Sequence, residues 1–210
     1  MFIDLHTHTL PWSDDSNLEI PELVRLAKQA GLNAICLTEH EWFRDKDTLA
    51  GLSQEHDFLI LPGVELNTED GHFLVFGVDK YHFGMHRTEY LKQVVDDAGG
   101  AMILAHPYRR NFHSDADVFG AVEQYCQKPF FRLVDTVEVF NGRASERENK
   151  FSQELCRRLN LNGVGGSDAH STSNIPSCAT FFERKISNVE QLIAELKAGR
   201  FRAVDLRQDS

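Results

Sequence analysis

The sequence has no closely spaced pair of cysteines and no long hydrophobic segment. Its four cysteines are widely separated, at Cys36, Cys126, Cys156 and Cys178. Without a Cys-x-x-Cys pair, zinc-ribbon and thioredoxin-like sites are excluded, and scattered thiols suit a reducing compartment. No run of about 18 apolar residues occurs, so no transmembrane helix is expected. No basic segment followed by an apolar stretch opens the chain, so we expect no signal peptide and a cytoplasmic protein.

Positive charge is scarce as well. There are 22 Lys and Arg residues against 32 Asp and Glu, for a formal net charge of −10. This balance argues against a broad basic surface, so we expect neither long nucleic acid nor a membrane as a partner. The chain has 210 residues, 41% of them hydrophobic and 26% charged, which is an ordinary globular composition with room for one core. We therefore predict a single domain over residues 1–210.

Histidine is plentiful, with ten residues. His6 and His8 follow a short apolar run that is typical of a buried strand. Because alternate residues of a strand face the same side, these imidazoles should point the same way, about 7 Å apart along the strand. Two such imidazoles can bind a divalent metal, but a His-x-His pair alone is weak evidence.

Apolar segments alternate with amphipathic ones along the chain. Strands are predicted at 2–5, 33–38, 58–65, 72–77 (as a hairpin partner or a separate strand), 101–105, 134–140, 161–165, 177–182 and 202–206. Helices are predicted at 21–30, in the middle of 42–57, and at 87–99, 117–126, 144–160 and 188–198. This alternation predicts an α/β fold with a central parallel sheet, closed as a barrel or left open. In such folds the chemistry lies at the carboxyl ends of the strands.

Metal-binding side chains recur where the predicted strands end. The candidate ligands are His6, His8, Asp14 or Asp15, His40, Glu65, His72, His106, Asp168 and His170. Any one of them could be a surface or core residue, but so many at strand ends favour a metal site. They exceed what one four-coordinate zinc uses, which predicts two or three divalent ions. Glu65 could bridge two ions through its two carboxylate oxygens, and the mixture of imidazole and carboxylate suits Mn, Fe or Zn.

Seven short motifs, in order along the chain, resemble those of the PHP (polymerase and histidinol phosphatase) family. They are Asp4-Leu5-His6-Thr7-His8, Thr38-Glu39-His40, Gly63-Val64-Glu65, His72 within Gly-His-Phe-Leu, Ala105-His106-Pro107, the stretch from Val137 to Gly142, and Gly166-Ser167-Asp168-Ala169-His170. The resemblance implies a distorted (β/α)7 barrel with a trinuclear metal centre at the carboxyl ends of the strands. It also implies metal-dependent hydrolysis of phosphoesters.

The resemblance also implies which residues share a metal. One ion would take His6, His8, Glu65 and Asp168, a second would share Glu65 and add His72 and His106, and a third would take Asp14, His40 and His170. The chain departs from the family pattern in two places. Glu39 occupies the middle position of a motif that usually reads Thr-Asp-His. The first loop is one residue longer than is usual, so Asp15 is the alternative loop ligand to Asp14.

The predicted function is a metal-dependent phosphoesterase or phosphatase acting on a small phosphorylated substrate. A metal-bound hydroxide would be the nucleophile, with Glu65 and Asp168 holding the metals. Arg109 or Arg110, and Arg143, could bind the phosphoryl oxygens, and Glu138 and Asn141 could orient ligands. The alternatives are a nuclease that trims short oligonucleotides, an amidohydrolase-type enzyme on the same centre, and a non-catalytic metal-binding domain.

Overall fold

A computed structural model describes residues 1–113, 116–175 and 177–207, in which strands and helices alternate along the chain. The strands are β1 (Phe2–Thr7), β2 (Ala34–Leu37), β3 (Leu59–Pro62), β4 (Val64–Asn67), β5 (His72–Phe76), β6 (Ala101–Leu104), β7 (Thr136–Asn141), β8 (Asn162–Gly166), β9 (Cys178–Phe182) and β10 (Phe201–Asp205). The helices are α1 (Ile20–Gln29), α2 (Lys46–Glu55), α3 (Thr88–Asp97), α4 (Val118–Tyr125), α5 (Glu146–Leu159) and α6 (Val189–Ala198). The predicted order of strands and helices is confirmed, with one exception.

The exception is the segment 58–65, which was expected to form one strand. The structure divides it at Gly63 into β3 and β4, which belong to different sheets. A side chain at Gly63 would place its Cβ only 2.8 Å from the ring of Phe76 and from the methyl group of Thr38. The chain therefore crosses between the sheets at a point where only a glycine fits.

The strands form two five-stranded sheets, in the orders β10-β9-β1-β2-β3 and β4-β5-β6-β7-β8. β1, β2 and β3 run parallel to one another, as do β6, β7 and β8. The pairings of β9 with β1 and β10, and of β5 with β4 and β6, are antiparallel. The α/β class is therefore confirmed, whereas the expected central parallel sheet is observed only in part, as two groups of three parallel strands with antiparallel neighbours. The role of β5 as a hairpin partner is confirmed.

The two sheets meet at the carboxyl ends of β1 and β2. Isolated parallel bridges join Thr7 to Ala169 and His40 to Glu65. The backbone N–H of Asp168 donates to the carbonyl of His6 at 2.8 Å, and that of Glu65 to the carbonyl of Glu39 at 3.1 Å. Strand ends from both sheets thus lie side by side. Closure of these strands into one (β/α)7 barrel stays a prediction.

The predicted helices are all present, and those with predicted bounds begin and end within two residues of them. In α1, Pro21 lies in the first turn and Leu23 and Ala27 are buried. The Asn188 side chain caps α6, and Gly199 ends it in the left-handed conformation that glycine adopts at little cost. Within the described ranges, no helix has both the length and the apolar character needed to cross a bilayer. All four cysteines are free.

Candidate metal centre

Strand β1 supplies the first two imidazoles of the site. Asp4 and His6 alternate along it, His8 directly follows its last residue, and all three are fully buried. The His6 and His8 rings lie 5.0 Å apart between centroids, which confirms that they point to the same side. Asp4 lies beneath them, and its Oδ1 accepts the backbone N–H groups of His6 and Ser167. Burial raises the pKa of Asp4 to about 7, although these hydrogen bonds act against the rise.

Four buried polar atoms converge at this point without a hydrogen-bond partner among the described residues. They are His6 Nε2, His8 Nε2, Glu65 Oε2 and Asp168 Oδ1. Each imidazole nitrogen lies 3.3–3.6 Å from each of the two carboxylate oxygens. Ligands at about 2.1 Å from one tetrahedral metal ion are about 3.4 Å apart, so these four atoms fit a divalent ion. A buried polar atom without a partner destabilises the folded state, and an ion bound at this position would give all four atoms a partner.

The remaining nitrogen of each imidazole is held by the protein. His6 Nδ1 donates to Glu138 Oε1 at 2.9 Å. His8 Nδ1 lies 3.2 Å from the hydroxyl of Ser13, which itself donates to Glu39 at 2.7 Å. These contacts favour the tautomer in which Nε2 carries a lone pair. A carboxylate behind a metal-binding histidine orients the ring and raises its basicity in this way.

Glu138 is the centre of a second layer of hydrogen bonds. Its Oε2 accepts from the backbone N–H of His106 at 2.9 Å and from the amide of Asn141 at 3.0 Å. Asn141 also donates to Asp168 Oδ2 at 3.1 Å, which leaves Oδ1 of that carboxylate directed at the imidazoles. The orienting roles expected of Glu138 and Asn141 are consistent with these contacts.

Replacement of Glu138 by glutamine is expected to weaken metal binding about 10- to 100-fold. All the groups around the Glu138 carboxylate are donors, so a glutamine NH2 group must face at least one of them. Competition with a chromophoric chelator measures the change in metal affinity. The exposed Glu183→Gln variant is the control and should bind metal like the wild type. Equal affinities in the two variants would contradict the orienting role.

The second carboxylate oxygen of Glu65 faces two further histidines. Glu65 Oε1 lies 2.8 Å from His72 Nδ1 and 2.9 Å from His106 Nε2. His72 opens β5, which runs antiparallel to β6, so it lies beside the end of β6 that His106 follows. One ligand atom from each of His6, Glu65 and His106 lies within 4.8 Å of the others, a spacing suited to a second ion. Glu65 is thus positioned to bridge two ions.

A third group contains His40 and His170, whose Nε2 atoms are 3.5 Å apart. Asp15 lies against both, with its oxygens 3.4 Å from His40 Nε2 and 3.1 Å from His170 Nε2. In the part of the chain that the structure describes, no ion pair joins Asp14 to these imidazoles. The longer first loop therefore brings Asp15 to the place expected of Asp14, in line with the alternative left open by the sequence.

Two of the candidate ligands have unusual backbone conformations. The φ angle is 24° at His106 and 53° at Asp168, in the region that residues other than glycine rarely adopt. Such strain persists only where surrounding structure imposes it, and it concentrates at functional sites. Each lies two positions after the last residue of a strand, His106 after β6 and Asp168 after β8.

Burial and charge compete in setting the pKa values of the central groups. Burial alone would lower the pKa of His6, but Asp168, Glu138 and Glu65 raise it well above its ordinary value. Burial lowers the pKa of His8 to about 3, aided by the charge of His6, so that imidazole is neutral. His6 and other neighbours hold the pKa values of Glu65 and Asp168 below their usual range in spite of burial. The pair of carboxylates thus requires positive charge, which a bound divalent ion would supply.

Two of the three candidate arginines lie at the centre. Arg109 Nη2 donates to Asp168 Oδ2 at 2.5 Å, and its Nη1 is 3.2 Å from His106 Nε2. Arg143 Nη1 lies 3.1 Å from His170 Nδ1 and 3.9 Å from Asp168 Oδ1. The side chains of Arg109 and Arg143 are about one-third exposed, at 32% and 38%. Arg110 is exposed and lines a separate cavity with Lys128, so the structure brings Arg109 and not Arg110 to the site.

Sequence reasoning missed the support that lies behind His8. Glu39 is fully buried and accepts hydrogen bonds from Ser13, from the backbone and hydroxyl of Thr9, and from Arg44. In the sequence, Glu39 stands out only as a departure from the family motif. A carboxylate that follows a buried strand and directly precedes a candidate ligand is the signal that could have identified it.

One sequence-family model and several solved structures resemble this chain, although no curated protein matches it. The model described as PHP-associated matches residues 146–201. A two-domain protein from Bacteroides vulgatus, containing a predicted PHP-like metal-dependent phosphoesterase, is 21% identical. Its TM-score is 0.64, over 98% of this chain and 64% of the other.

Two further structures cover nearly the full length of both chains. An amidohydrolase from Chromobacterium violaceum, with bound sulfate and no metal, is 16% identical, with a TM-score of 0.63 over 97% of this chain and 98% of the other. Histidinol phosphate phosphatase from Lactococcus lactis, complexed with zinc, L-histidinol and phosphate, is 16% identical, with a TM-score of 0.52 over 94% and 93%. At these identities the likeness shows the fold alone. With the sequence-family match, it confirms that this chain resembles the PHP family.

Proposed function

We propose that this protein is a metal-dependent phosphoesterase that hydrolyses a small phosphorylated substrate. The observation that carries the proposal is the convergence of four buried ligand atoms that have no hydrogen-bond partner in the described part of the chain, from His6, His8, Glu65 and Asp168. The first ion would be held by these four residues. A second would share Glu65 and be held by His72 and His106, and a third by His40, His170 and Asp15. Mn, Fe and Zn all suit this donor set.

Divalent ions bound here would neutralise phosphoryl oxygens and lower the pKa of a water molecule near the substrate. The protein's own residues fix where this happens. Glu138 and Ser13 hold the His6 and His8 rings, and Asn141 holds the Asp168 carboxylate. Because these groups are placed before substrate arrives, little reorganisation is needed during the reaction.

Arg109 and Arg143 are the cations available to the substrate. Each is partly exposed beside Asp168, and a guanidinium donates two parallel hydrogen bonds to phosphoryl oxygens. Their role is to bind and orient the phosphoryl group against the centre. Arg109 has a second task, because its hydrogen bond to Asp168 Oδ2 fixes the direction of that carboxylate.

Arg109→Ala is expected to lower kcat/KM for a phosphomonoester about 10- to 100-fold, the value of one or two charge-assisted hydrogen bonds. Steady-state kinetics on metal-saturated protein measures it. The neighbouring Arg110→Ala variant is the matched control, and its kinetics should equal those of the wild type. An unchanged kcat/KM in Arg109→Ala would remove the proposed contact with the phosphoryl group.

We further infer that residues 1–210 act as one catalytic domain on a distorted (β/α)7 barrel. The candidate ligands extend from His6 to His170, and the late strands β9 and β10 extend the sheet that contains β1. The bridges at Thr7 and His40 support closure of the two sheets around the centre. The free cysteines support a reducing location such as the cytoplasm.

An amidohydrolase-type activity is the second candidate, favoured by the fold shared with the Chromobacterium violaceum enzyme. The same metal chemistry would serve an amide bond, so the fold does not separate the two reactions. Trimming of short oligonucleotides is a third possibility, since a small site needs little basic surface. The products distinguish them: phosphate, an amine or a shortened oligonucleotide.

The test is hydrolysis of a panel of phosphomonoesters, nucleotides and short oligonucleotides by Mn-loaded protein, followed as phosphate release and as shortening of the oligonucleotides. Asp168→Asn protein is the control, because the substitution removes a charge from the centre while keeping its shape. Release by the wild type that the variant lacks is the expected result. If wild-type protein of confirmed metal content neither releases phosphate from any compound nor shortens the oligonucleotides, phosphoester hydrolysis is rejected and the amide-bond reaction takes its place.

A further inference from the structure

The chain has only two tryptophans, and they lie together at the surface. Trp12 exposes 37% and Trp42 51% of its surface, and their ring centroids are 5.4 Å apart. Trp12 belongs to the loop between His8 and Asp15, and Trp42 follows His40 by two residues. Both members of this aromatic pair therefore lie on loops that also carry candidate metal ligands.

A buried arginine holds the aromatic pair in place. The guanidinium carbon of Arg44 lies 4.5 Å from the centre of the Trp12 ring, at cation–π distance. Its Nη2 is 3.4 Å from Glu39 Oε1 and 3.5 Å from Thr9 Oγ1. Its side chain is only 5% exposed. Glu39 in turn accepts from Ser13, which contacts His8, so a short chain of polar contacts connects Trp12 to the centre.

The surroundings indicate what the aromatic pair binds. The planes of the two adjoining indole rings are inclined by 31°, and an exposed indole face offers an apolar surface on which a planar ring can stack. Such a contact tolerates any nucleobase. Asp15 and His40 of the metal centre lie on the same two loops, three and two residues from the tryptophans in the sequence, and the centre would bind an anionic group. A ligand that binds both to the metal centre and to the aromatic pair carries a phosphoryl group at one end and an uncharged aromatic ring at the other. Nucleotides have this composition, whereas simple sugar phosphates lack the ring.

We propose that Trp12 and Trp42 form a binding subsite for a nucleobase, and that the substrate of this protein is a nucleotide. The proposal rests on the proposed phosphoesterase function for the phosphoryl end of the ligand. Trp12 supports the pair from the Arg44 side, and the more exposed Trp42 supplies most of the stacking surface. Binding should depend on the aromatic ring and little on which base carries it.

Tryptophan fluorescence tests the subsite directly, because every tryptophan of the chain belongs to it. Metal-loaded protein is titrated with adenosine and with cytidine, which carry no phosphate and so report binding independently of hydrolysis. The expected result is saturable quenching by both nucleosides, with a dissociation constant about ten-fold higher in Trp42→Ala, in which Trp12 still reports. The matched control is Phe83→Ala, a 91% exposed aromatic remote in sequence from the ligand loops, which should bind like the wild type. Absence of saturable quenching, or equal constants in wild type and Trp42→Ala, overturns the proposal.

Kinetics then separates this proposal from the proposed function. Trp42→Ala is expected to lower kcat/KM for adenosine 5′-monophosphate about ten-fold more than kcat/KM for ribose 5-phosphate. Equal losses on the two substrates overturn the nucleobase subsite while leaving phosphoester hydrolysis intact. If neither substrate is hydrolysed, the proposed function fails on these compounds, and the nucleoside titration alone decides whether the subsite exists.

Discussion

Replacement of Glu65 by glutamine is expected to lower phosphate release about 10³-fold or more, together with loss of bound metal. The carboxylate lies among five imidazoles, with contacts of 2.8–3.4 Å to His6, His8, His40, His72 and His106. Glutamine has the same shape but no charge, and its NH2 group cannot bind a cation. Loss of an orienting partner of a metal ligand typically costs 10- to 100-fold, so loss of a bridging ligand should cost more.

The control for Glu65→Gln is Glu69→Gln in the turn that joins β4 to β5. Glu69 is exposed, and the same change there should leave activity and metal content unaltered. Metal content by mass spectrometry and phosphate release on identical preparations complete the test. A Glu65→Gln protein that retains both its metal and its turnover would show that Glu65 neither bridges ions nor supports catalysis.

The order of elements was predictable because each strand and helix has its own local hydrophobic pattern. In α1, for example, Pro21 and the spacing of Leu23 and Ala27 identify both the start and the buried face. The division of 58–65 was not predictable in this way. Both halves are apolar, and the division depends on Phe76 and Thr38, which approach Gly63 only in the folded chain.

The candidate ligands were predictable as a set because they follow apolar strands. Which of these ligands lie together was less predictable, as His72 illustrates. In a wholly parallel sheet, a residue that opens a strand lies at the edge opposite to the carboxyl ends. The antiparallel direction of β5 reverses this and brings His72 to Glu65. Direction is a property of strand pairing, which hydrophobic periodicity does not report.

The loop ligand and the second layer depend on side-chain geometry that spacing cannot supply. Asp14 and Asp15 are equivalent in the sequence, and the path of the loop after β1 decides that Asp15 meets His40 and His170. Glu39 shows the same limit, because its partners include the distant Ser13 and Thr9. Residue type and strand position indicate that a metal site exists, whereas folded contacts decide which neighbours support it.

Removal of metal is expected to lower the melting temperature of the protein by about 8–16 °C. An ion present at about 1,000 times its dissociation constant stabilises the folded state by about 4 kcal/mol. In a chain of this length each kcal/mol corresponds to about 2–4 °C. The structural reason is that four buried atoms have no hydrogen-bond partner among the described residues: one oxygen each of Glu65 and Asp168, and the facing Nε2 atoms of His6 and His8. Without an ion, these four atoms are desolvated in the folded state but hydrated in the unfolded chain, so their burial lowers the free energy of unfolding.

Thermal denaturation before and after exhaustive chelation measures this difference, with readdition of Mn or Zn to confirm reversibility. The Glu65→Gln protein is the internal control, because a centre that cannot hold metal has no stabilisation to lose. Its melting temperature should therefore be insensitive to the chelator and should lie near that of the stripped wild type. If chelation leaves the wild type unchanged while metal analysis confirms its removal, the four convergent atoms do not form a metal site that stabilises the fold. The metal-dependent mechanism built on them would then lose its main support.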